Sequence, residues 1–137
     1  MTRFWIRRRG DDSAREGGAD TGGLVQAFGK LGNGLRVQVT AEGIALIGEV
    51  DLATREALRQ ALTLLEEASV ASRVVVDLSC LTFIDGRGAG LLADAARSLG
   101  PAKTLVLRAP GQSVRTVIEA LRLDAVENVV IEPAPNA

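Results

Sequence analysis

The sequence VVVDLSCLTFIDGRGAGLL runs from Val74 to Leu92 and carries the strongest structural signals of the chain. Its opening run of β-branched residues predicts a strand over Arg73–Leu78, and a continuous apolar run is typical of a central strand buried on both faces. Asp85 then precedes a segment rich in glycine, and an acidic residue is favoured at the N-terminus of a helix. The stretch therefore predicts a strand, a short loop and a helix that begins after Asp85.

Two more strands and a helix are predicted upstream of this stretch. Leu35–Val39 alternates between apolar and polar residues, Glu42-Gly43 is a turn signal, and Ile44–Val50 follows, so the two runs predict a hairpin. A helix is predicted from about Thr54 to Ala68, and we expect Asp51 or Thr54 to cap its N-terminus. The helix has one apolar stripe at helical spacing, formed by Leu58, Ala61, Leu62 and Leu65.

The remaining elements lie downstream and continue the alternation. The helix after Asp85 ends at Gly100-Pro101, and Thr104–Leu107 is a short apolar strand. A third helix follows Pro110-Gly111 with Ser113 as its expected cap, and Val129–Ile131 is expected to form a last edge strand. The order β-β-α-β-α-β-α-β predicts an α/β fold, a mixed sheet packed against helices, with right-handed parallel crossovers.

Composition divides the chain into three parts. Residues 1–30 are predicted to form a disordered N-terminal tail, because Gly, Asp and Arg recur there without periodicity. Phe4-Trp5-Ile6 is a small apolar patch within this tail. The folded domain is predicted over residues 31–133, and residues 134–137 form a short C-terminal tail.

Charge and residue usage argue against several classes of function. The formal net charge is −1, so a nucleic-acid role has no electrostatic support. The chain has no histidine, which removes the common zinc sites and the nucleophiles that histidine activates. Cys80 is the single cysteine; it fits a reducing, cytoplasmic compartment, and we expect it to be buried. No apolar stretch approaches the roughly 18 residues that span a bilayer, so direct membrane insertion is not expected.

Two loops are predicted to lie at the same end of the sheet. The first is Gly48–Thr54, with the sequence GEVDLAT, and the second is Phe83–Gly88, with the sequence FIDGRG. Ligands and partners of open α/β sheets gather outside the carboxyl ends of the parallel strands. Each loop contributes one acid at that end, Asp51 or Asp85, although each acid can also act simply as a helix cap.

The two loops resemble the motifs of the STAS domain, the fold of bacterial anti-sigma-factor antagonists. The first loop is similar to the family's Gly-Glu-Leu-Asp motif. The family's second motif is Asp-Leu-Ser-x-x-x-Phe-x-Asp-Ser-x-Gly, and the positions that match it are Asp77, Leu78, Ser79, Phe83, Asp85 and Gly88. The resemblance covers about residues 35–132 and implies the STAS fold for nearly the whole folded part.

Partner switching is the activity that this resemblance implies. An unphosphorylated antagonist of the family binds an anti-sigma factor, usually a serine kinase, and thereby releases a sigma factor that regulates transcription. Phosphorylation of the serine after the second aspartate adds about −1.5 to −2 charge and ends the binding. Here Gly86 occupies that position. The departure implies either a permanently binding antagonist or a divergent STAS branch with another partner.

The predicted partner surface combines residues of both loops, which are expected to bind a protein rather than to catalyse a reaction. Its members are Glu49, Asp51, Leu52, Thr54, Asp85, Gly86, Arg87 and Ala89. Arg87 is expected to be solvated, and a surface pair with Asp51 or Asp85 would add little stability. No cofactor or metal is implied, and the sequence leaves the oligomeric state open.

Two alternatives remain at this point. Some STAS domains are accessory subunits of lipid-transport complexes, or of sensor or stressosome-type complexes, and these dock through the same loops. A nucleotide-binding enzyme is an alternative of another class, because Gly86–Gly90 follows a strand and opens a helix as a dinucleotide fingerprint does. The fingerprint spacing fails at Leu91, where a small residue is needed, and Asp85 would repel a pyrophosphate.

Overall fold

The computed structural model describes residues 34–135, so the predicted N-terminal tail with Phe4-Trp5-Ile6 lies outside the described residues. Within them, five strands and three α-helices follow one another in the order that the sequence predicts. Their bounds are Leu35–Val39 (β1), Gly43–Val50 (β2), Arg55–Ala68 (α1), Arg73–Ile84 (β3), Gly86–Leu99 (α2), Thr104–Arg108 (β4), Gln112–Ala120 (α3) and Val129–Glu132 (β5). A short 3-10 helix, Leu123–Ala125, lies between α3 and β5.

The five strands form one mixed sheet in the order β1-β2-β3-β4-β5. The hairpin strands β1 and β2 are antiparallel, and β2 to β5 are parallel to one another. Each crossover from β2 onward adds the next strand on the same side, and right-handed crossovers then place all three helices on one face of the sheet. The arrangement confirms the predicted α/β fold.

One apolar core fills the space between the sheet and the helices. Leu46 of β2, Leu78 of β3 and Leu92 of α2 are fully buried within it. The predicted stripe of α1 faces the same core, because Leu58 is fully buried and Leu65 packs against the cluster. Periodicity alone therefore gave the correct buried face of this helix.

Ion pairs cross the sheet face opposite the helices. Arg73 at the start of β3 donates to Glu132 at the end of β5 at 2.6 Å, and Arg108 pairs with both Glu132 and Glu42. Strand β4, which contains Val106, lies between the strands that carry Arg73 and Glu132. Val106 is fully buried although it lies outside the main core cluster.

Strand β3 is longer than predicted, and this changes the position of Cys80. The sequence predicted an end at Leu78, but pairing with β2 continues as far as Ile84. Between Ala45 and Ile47 of β2, the register shifts and β3 carries an extra residue, which is a β-bulge. The bulge interrupts the alternation of side chains, and Cys80 is exposed. The expectation of a buried cysteine is therefore wrong.

Ser113 has a different role from the one predicted for it. Helix α3 begins at Gln112 with Gly111 at the N-cap position, so Ser113 lies within the first turn. Its hydroxyl donates to the Thr82 carbonyl oxygen at 2.9 Å. The contact ties the start of α3 to the end of β3 instead of capping the helix.

Candidate functional site

The two predicted loops meet at the carboxyl end of the sheet. Val50, the last residue of β2, pairs with Ile84, the last residue of β3. Beyond that pair, the Asp85 amide donates to the Val50 carbonyl oxygen at 3.0 Å. The first residues of both loops are therefore held side by side by the sheet itself.

Gly48 gives the first loop its entry conformation. Its φ is +112°, a value that residues with a side chain rarely adopt, and a Cβ there would lie 1.9 Å from the Gly34 carbonyl oxygen. The same carbonyl accepts a hydrogen bond from the Glu49 amide at 2.6 Å. The close approach of β1 and β2 at this point therefore requires glycine.

Asp51 and Thr54 fold the first loop into a compact turn. One carboxylate oxygen of Asp51 accepts from the amides of Ala53 and Thr54, at 3.0 and 3.2 Å. The Thr54 hydroxyl donates to the Glu49 carbonyl oxygen and accepts from the Asp51 amide, both at 2.9 Å. Thr54 occupies the N-cap position of α1 but makes no side-chain cap bond, so its hydroxyl serves the turn and not the helix.

Asp85 caps helix α2 and also bonds to helix α1. Its Oδ1 accepts from the Gly88 amide at 2.8 Å, as predicted for an N-cap aspartate. Its Oδ2 accepts from Nη2 of Arg55, 3.1 Å away. Arg87 is exposed, as expected, and forms no ion pair with Asp51, Asp85 or any other acid within residues 34–135.

Sequence reasoning missed Arg55, although one signal for it was present. Arg55 lies in the first turn of α1, where the positive end of the helix dipole disfavours a cation. A basic residue at that position therefore suggested an acidic partner elsewhere in the fold. The sequence could not show that the partner was Asp85, thirty residues away.

The environment of Asp85 favours its ionised form. Burial of the carboxyl opposes ionisation, but the hydrogen bond from the Gly88 amide and the bond and charge of Arg55 outweigh it. The pKa of Asp85 consequently lies below its ordinary value. Asp85 therefore stays anionic at neutral pH, and both of its oxygens have partners.

An Asp85→Asn variant is expected to change the dependence of stability on acid pH. A carboxyl whose pKa is lowered by folding stabilises the fold above the unfolded-state pKa of about 3.9, and this contribution is lost as the pH falls through the folded-state pKa. Asparagine keeps the cap and loses the ion pair, so at neutral pH we expect a loss of about 0.5–1 kcal/mol in the free energy of unfolding.

Urea unfolding between about pH 2 and pH 7 measures this effect. The difference between the wild type and Asp85→Asn should shrink toward zero at the acid end. Asp94→Asn is the control, because Asp94 is exposed and pairs with Arg97 within one helix. A loss in Asp85→Asn that stays constant across the pH range would contradict the prediction.

Close packing beneath the second loop depends on Gly88. A Cβ at this position would lie 2.5 Å from Cγ1 of Val50 and 3.0 Å from Oδ1 of Asp85. Glycine thus lets the first turn of α2 approach β2. Ala89 beside it is fully buried.

The predicted surface residues divide by exposure. Glu49, Leu52, Gly86 and Arg87 are exposed, and Asp51 and Asp85 are half-buried. Thr54 and Ala89 are buried, so including them in an exposed surface was wrong. The Thr54 hydroxyl has its hydrogen-bond partners inside the turn, and the Ala89 methyl belongs to the core; both support the surface from beneath.

Apolar side chains lie exposed among these charges. Leu52, at the tip of the first loop, has 78% of its surface exposed, and Phe83, at the end of β3, has 44% exposed. Leu121, after α3, is also exposed and lies close to Gly86. Neither Phe83 nor Leu121 was among the residues predicted to form the partner surface. An exposed mixture of apolar and charged side chains on a rigid base is suited to binding a protein.

Other kinds of site are not found in the part of the chain that the structure describes. Residues 34–135 contain no group of three or more Cys, Asp or Glu side chains placed to hold a metal ion. None of the three α-helices is long and apolar enough to cross a membrane.

Comparison with known families identifies the class of protein. The family model described as "Mlab, STAS domain" matches residues 34–132, which is most of the chain. The chain therefore belongs to the STAS domain family. A comparison with curated protein sequences gives no match.

Solved structures with a similar fold include anti-sigma factor antagonists. An anti-sigma factor antagonist from Mycobacterium paratuberculosis is 26% identical, with a TM-score of 0.63 over 74% of this chain and 86% of its own. The antagonist SpoIIAA in its unphosphorylated form is 21% identical, with a TM-score of 0.53 over 74% and 90% of the two chains. The Bacillus cell fate determinant SpoIIAA in its phosphorylated form is 21% identical, with a TM-score of 0.51 over 74% and 94%. This protein is thus a STAS domain similar to anti-sigma factor antagonists.

Proposed function

We propose that this STAS domain binds an anti-sigma factor of the serine-kinase type in the cytoplasm and thereby releases a sigma factor to regulate transcription. The binding surface consists of the exposed and half-buried members of the two loops, Glu49, Asp51, Leu52, Asp85, Gly86 and Arg87. The observation that carries the proposal is the rigid junction of the two loops, which presents Leu52 and Arg87 to solvent on one edge of the domain. Similarity to the M. paratuberculosis antagonist supports it.

Leu52 supplies the apolar part of the proposed interface. Its side chain is 78% exposed on a turn whose amides are already bonded to Asp51. Burial of a leucine side chain against a partner contributes about 1.5–3 kcal/mol. Because the turn is ordered before binding, little of that contribution is lost to fixing the loop.

Gly86 removes the family's phosphorylation site from the proposed interface. It takes the position that the family resemblance assigns to the phosphorylated serine, and glycine has no hydroxyl to accept a phosphoryl group. We infer that the chain acts as a permanently binding antagonist. Its binding is then not ended by a phosphoserine at this position, since a modification there is excluded by chemistry.

A nucleotide-binding role is disfavoured by the capping of α2. A phosphate bound at a helix N-terminus needs free amides and a positive local field. Here the Gly88 amide is already bonded to the Asp85 carboxylate, which also brings negative charge to the same place. For these reasons we propose a binding function and no catalytic role.

The second candidate function is that of an accessory subunit in a lipid-transport, sensor or stressosome-type complex. The family model that matches carries the description "Mlab, STAS domain" and does not mention an antagonist. Both candidate functions use the same loops, so the surface alone does not separate them. They differ in the identity of the protein that is bound.

Affinity capture from native cytosol separates the two functions. The full chain serves as bait, an Arg87→Glu bait is the matched control, and mass spectrometry identifies the proteins. Enrichment of a serine-kinase anti-sigma factor on the wild type alone supports the proposal. Enrichment of transporter or sensor components without such a kinase would favour the second function.

A Gly86→Ser variant is expected to become a substrate of the captured kinase. A Cβ at Gly86 would meet only Cδ1 of Leu121, at 3.8 Å, so the serine fits without strain. With ATP, the γ-phosphoryl group should move to the new hydroxyl and leave ADP, while the wild type stays unmodified. Intact-mass spectrometry counts the added groups.

Gly90→Ser is the control for this reaction, because Gly90 lies one turn further along α2 and a Cβ there meets nothing within 4 Å. It should remain unmodified. Phosphorylation of the wild-type chain, for example at Ser79 or Thr82, would contradict the inference that the protein lacks a phosphorylation switch.

A further inference from the structure

We propose that Arg55 is a positioning residue that joins the two loops into one docking surface through its bond to Asp85. The inference rests on the proposed function, since it concerns the same surface. It changes the predicted role of Asp85 from a partner contact to an internal anchor. Arg55 itself was not among the residues that the sequence assigned to the surface.

Both oxygens of the Asp85 carboxylate already accept an internal hydrogen bond. Oδ1 accepts from the Gly88 amide at 2.8 Å and Oδ2 accepts from Arg55 at 3.1 Å. The two side chains of the ion pair are 26% and 27% exposed, so the pair is partly buried. Asp85 is therefore placed to hold the loops together rather than to reach outward.

The ion pair adds a connection that the sheet does not provide. The backbone bond from the Asp85 amide to Val50 joins the ends of β2 and β3. Arg55 instead joins the start of α1 to the start of α2, the two helices that the loops enter. With both connections present, the tip of the first loop at Leu52 and the exposed Arg87 are fixed relative to each other.

Arg55 is poorly explained by the stability of its own helix. A cation in the first turn of α1 opposes the helix dipole. The Nε atom of Arg55 is also buried with no hydrogen-bond partner among the described residues, which is unfavourable. The favourable contact of the Arg55 side chain is its bond to Asp85 in the second loop. A side chain that is unfavourable for its own helix but bonds to the other loop is what a positioning role predicts.

The test compares the wild-type full chain with Arg55→Gln, Asp85→Asn and the double variant. The probe is the serine-kinase anti-sigma factor that the wild-type bait captures, and calorimetry measures its affinity. We expect the affinity to fall about tenfold in Arg55→Gln and by a similar factor in Asp85→Asn. The double variant should show no further fall, because each substitution removes the same ion pair. Arg55→Lys should recover part of the affinity.

Arg59→Gln is the matched control. Arg59 lies one turn further along α1, pairs with Glu56 and is 54% exposed, so the variant makes the same charge change away from the loops. Binding by Arg55→Gln within twofold of this control would overturn the inference. Losses that add in the double variant would also overturn it, because they would show that Arg55 contacts the partner directly.

Hydrogen exchange separates failure of this inference from failure of the proposed function. If the wild type captures no anti-sigma factor, the proposed function fails, and the free proteins still test the positioning role. Arg55→Gln should then raise amide exchange in Gly86–Gly88 and in Asp51–Thr54 together, at least about threefold, and Arg59→Gln should not. Unchanged exchange in both loops would overturn the positioning role without reference to any partner.

Discussion

A Gly48→Ala variant is expected to be about 3 kcal/mol less stable than the wild type. Backbone strain at a positive φ costs about 1–3 kcal/mol, and forced overpacking costs a similar amount. Both apply here, because Gly48 has a φ of +112° and its Cβ would lie 1.9 Å from the Gly34 carbonyl oxygen. The melting temperature should fall by about 12 °C, as measured by circular dichroism.

Gly90→Ala controls for the loss of a glycine as such. Gly90 lies within α2 and a Cβ there meets no atom within 4 Å, so alanine should be neutral or should stabilise the helix by up to about 1 kcal/mol. Equal melting temperatures for Gly48→Ala and the wild type would show that β1 and β2 tolerate separation at this point. The Glu49–Gly34 backbone bond would then be dispensable.

Much of the fold could be predicted because its signals are local. The burial of β1, α1 and the first half of β3 follows from side-chain periodicity, which neighbours in sequence determine. The meeting of the two loops follows from connectivity, since successive parallel strands end at the same edge. The cap of α2 is also a local matter, and Asp85 bonds the amide three residues ahead.

The partner of Asp85 could not be predicted in the same way. Arg87 is two residues away in sequence, yet Arg55 makes the ion pair from a distance of thirty residues. That choice depends on how α1 and α2 pack against the sheet, which places the Arg55 side chain beneath the loop and directs Arg87 outward. The spacing of charged residues in the sequence does not show in which direction either arginine side chain points.

The burial of three side chains was predicted wrongly, and in each case the structure around the residue decides the outcome. Cys80 is exposed because a bulge shifts the alternation of β3, and bulges have weak sequence signals. Thr54 is buried because Glu49 and Asp51 satisfy its hydroxyl, so its polarity does not require solvent. Ala89 is small enough for either environment, and only the packing of α2 decides that it is buried.

An Arg87→Glu variant is expected to bind the proposed anti-sigma factor partner at least about thirtyfold more weakly than the wild type. The substitution changes the local charge by −2, beside the acids Glu49, Asp51 and Asp85. A phosphoserine carries about −1.5 to −2 charge and would sit one residue away, at position 86. Arg87→Glu should therefore imitate the charge of the phosphorylated serine that the family resemblance implies, and charges of the same sign facing each other across an interface cost several kcal/mol.

The melting temperature of Arg87→Glu distinguishes a loss of binding from a loss of the fold. Arg87 is exposed in the first turn of α2 and pairs with no acid in residues 34–135, and glutamate is favoured near a helix N-terminus by about 0.3–1 kcal/mol. The variant should therefore melt at or slightly above the wild-type temperature while binding is lost. Arg97→Glu makes the same charge change at an exposed position near the far end of α2, away from the loops, and should bind normally. If both arginine-to-glutamate substitutions weaken binding equally, the change in net charge causes the effect. The surface around Arg87 is then not the docking site.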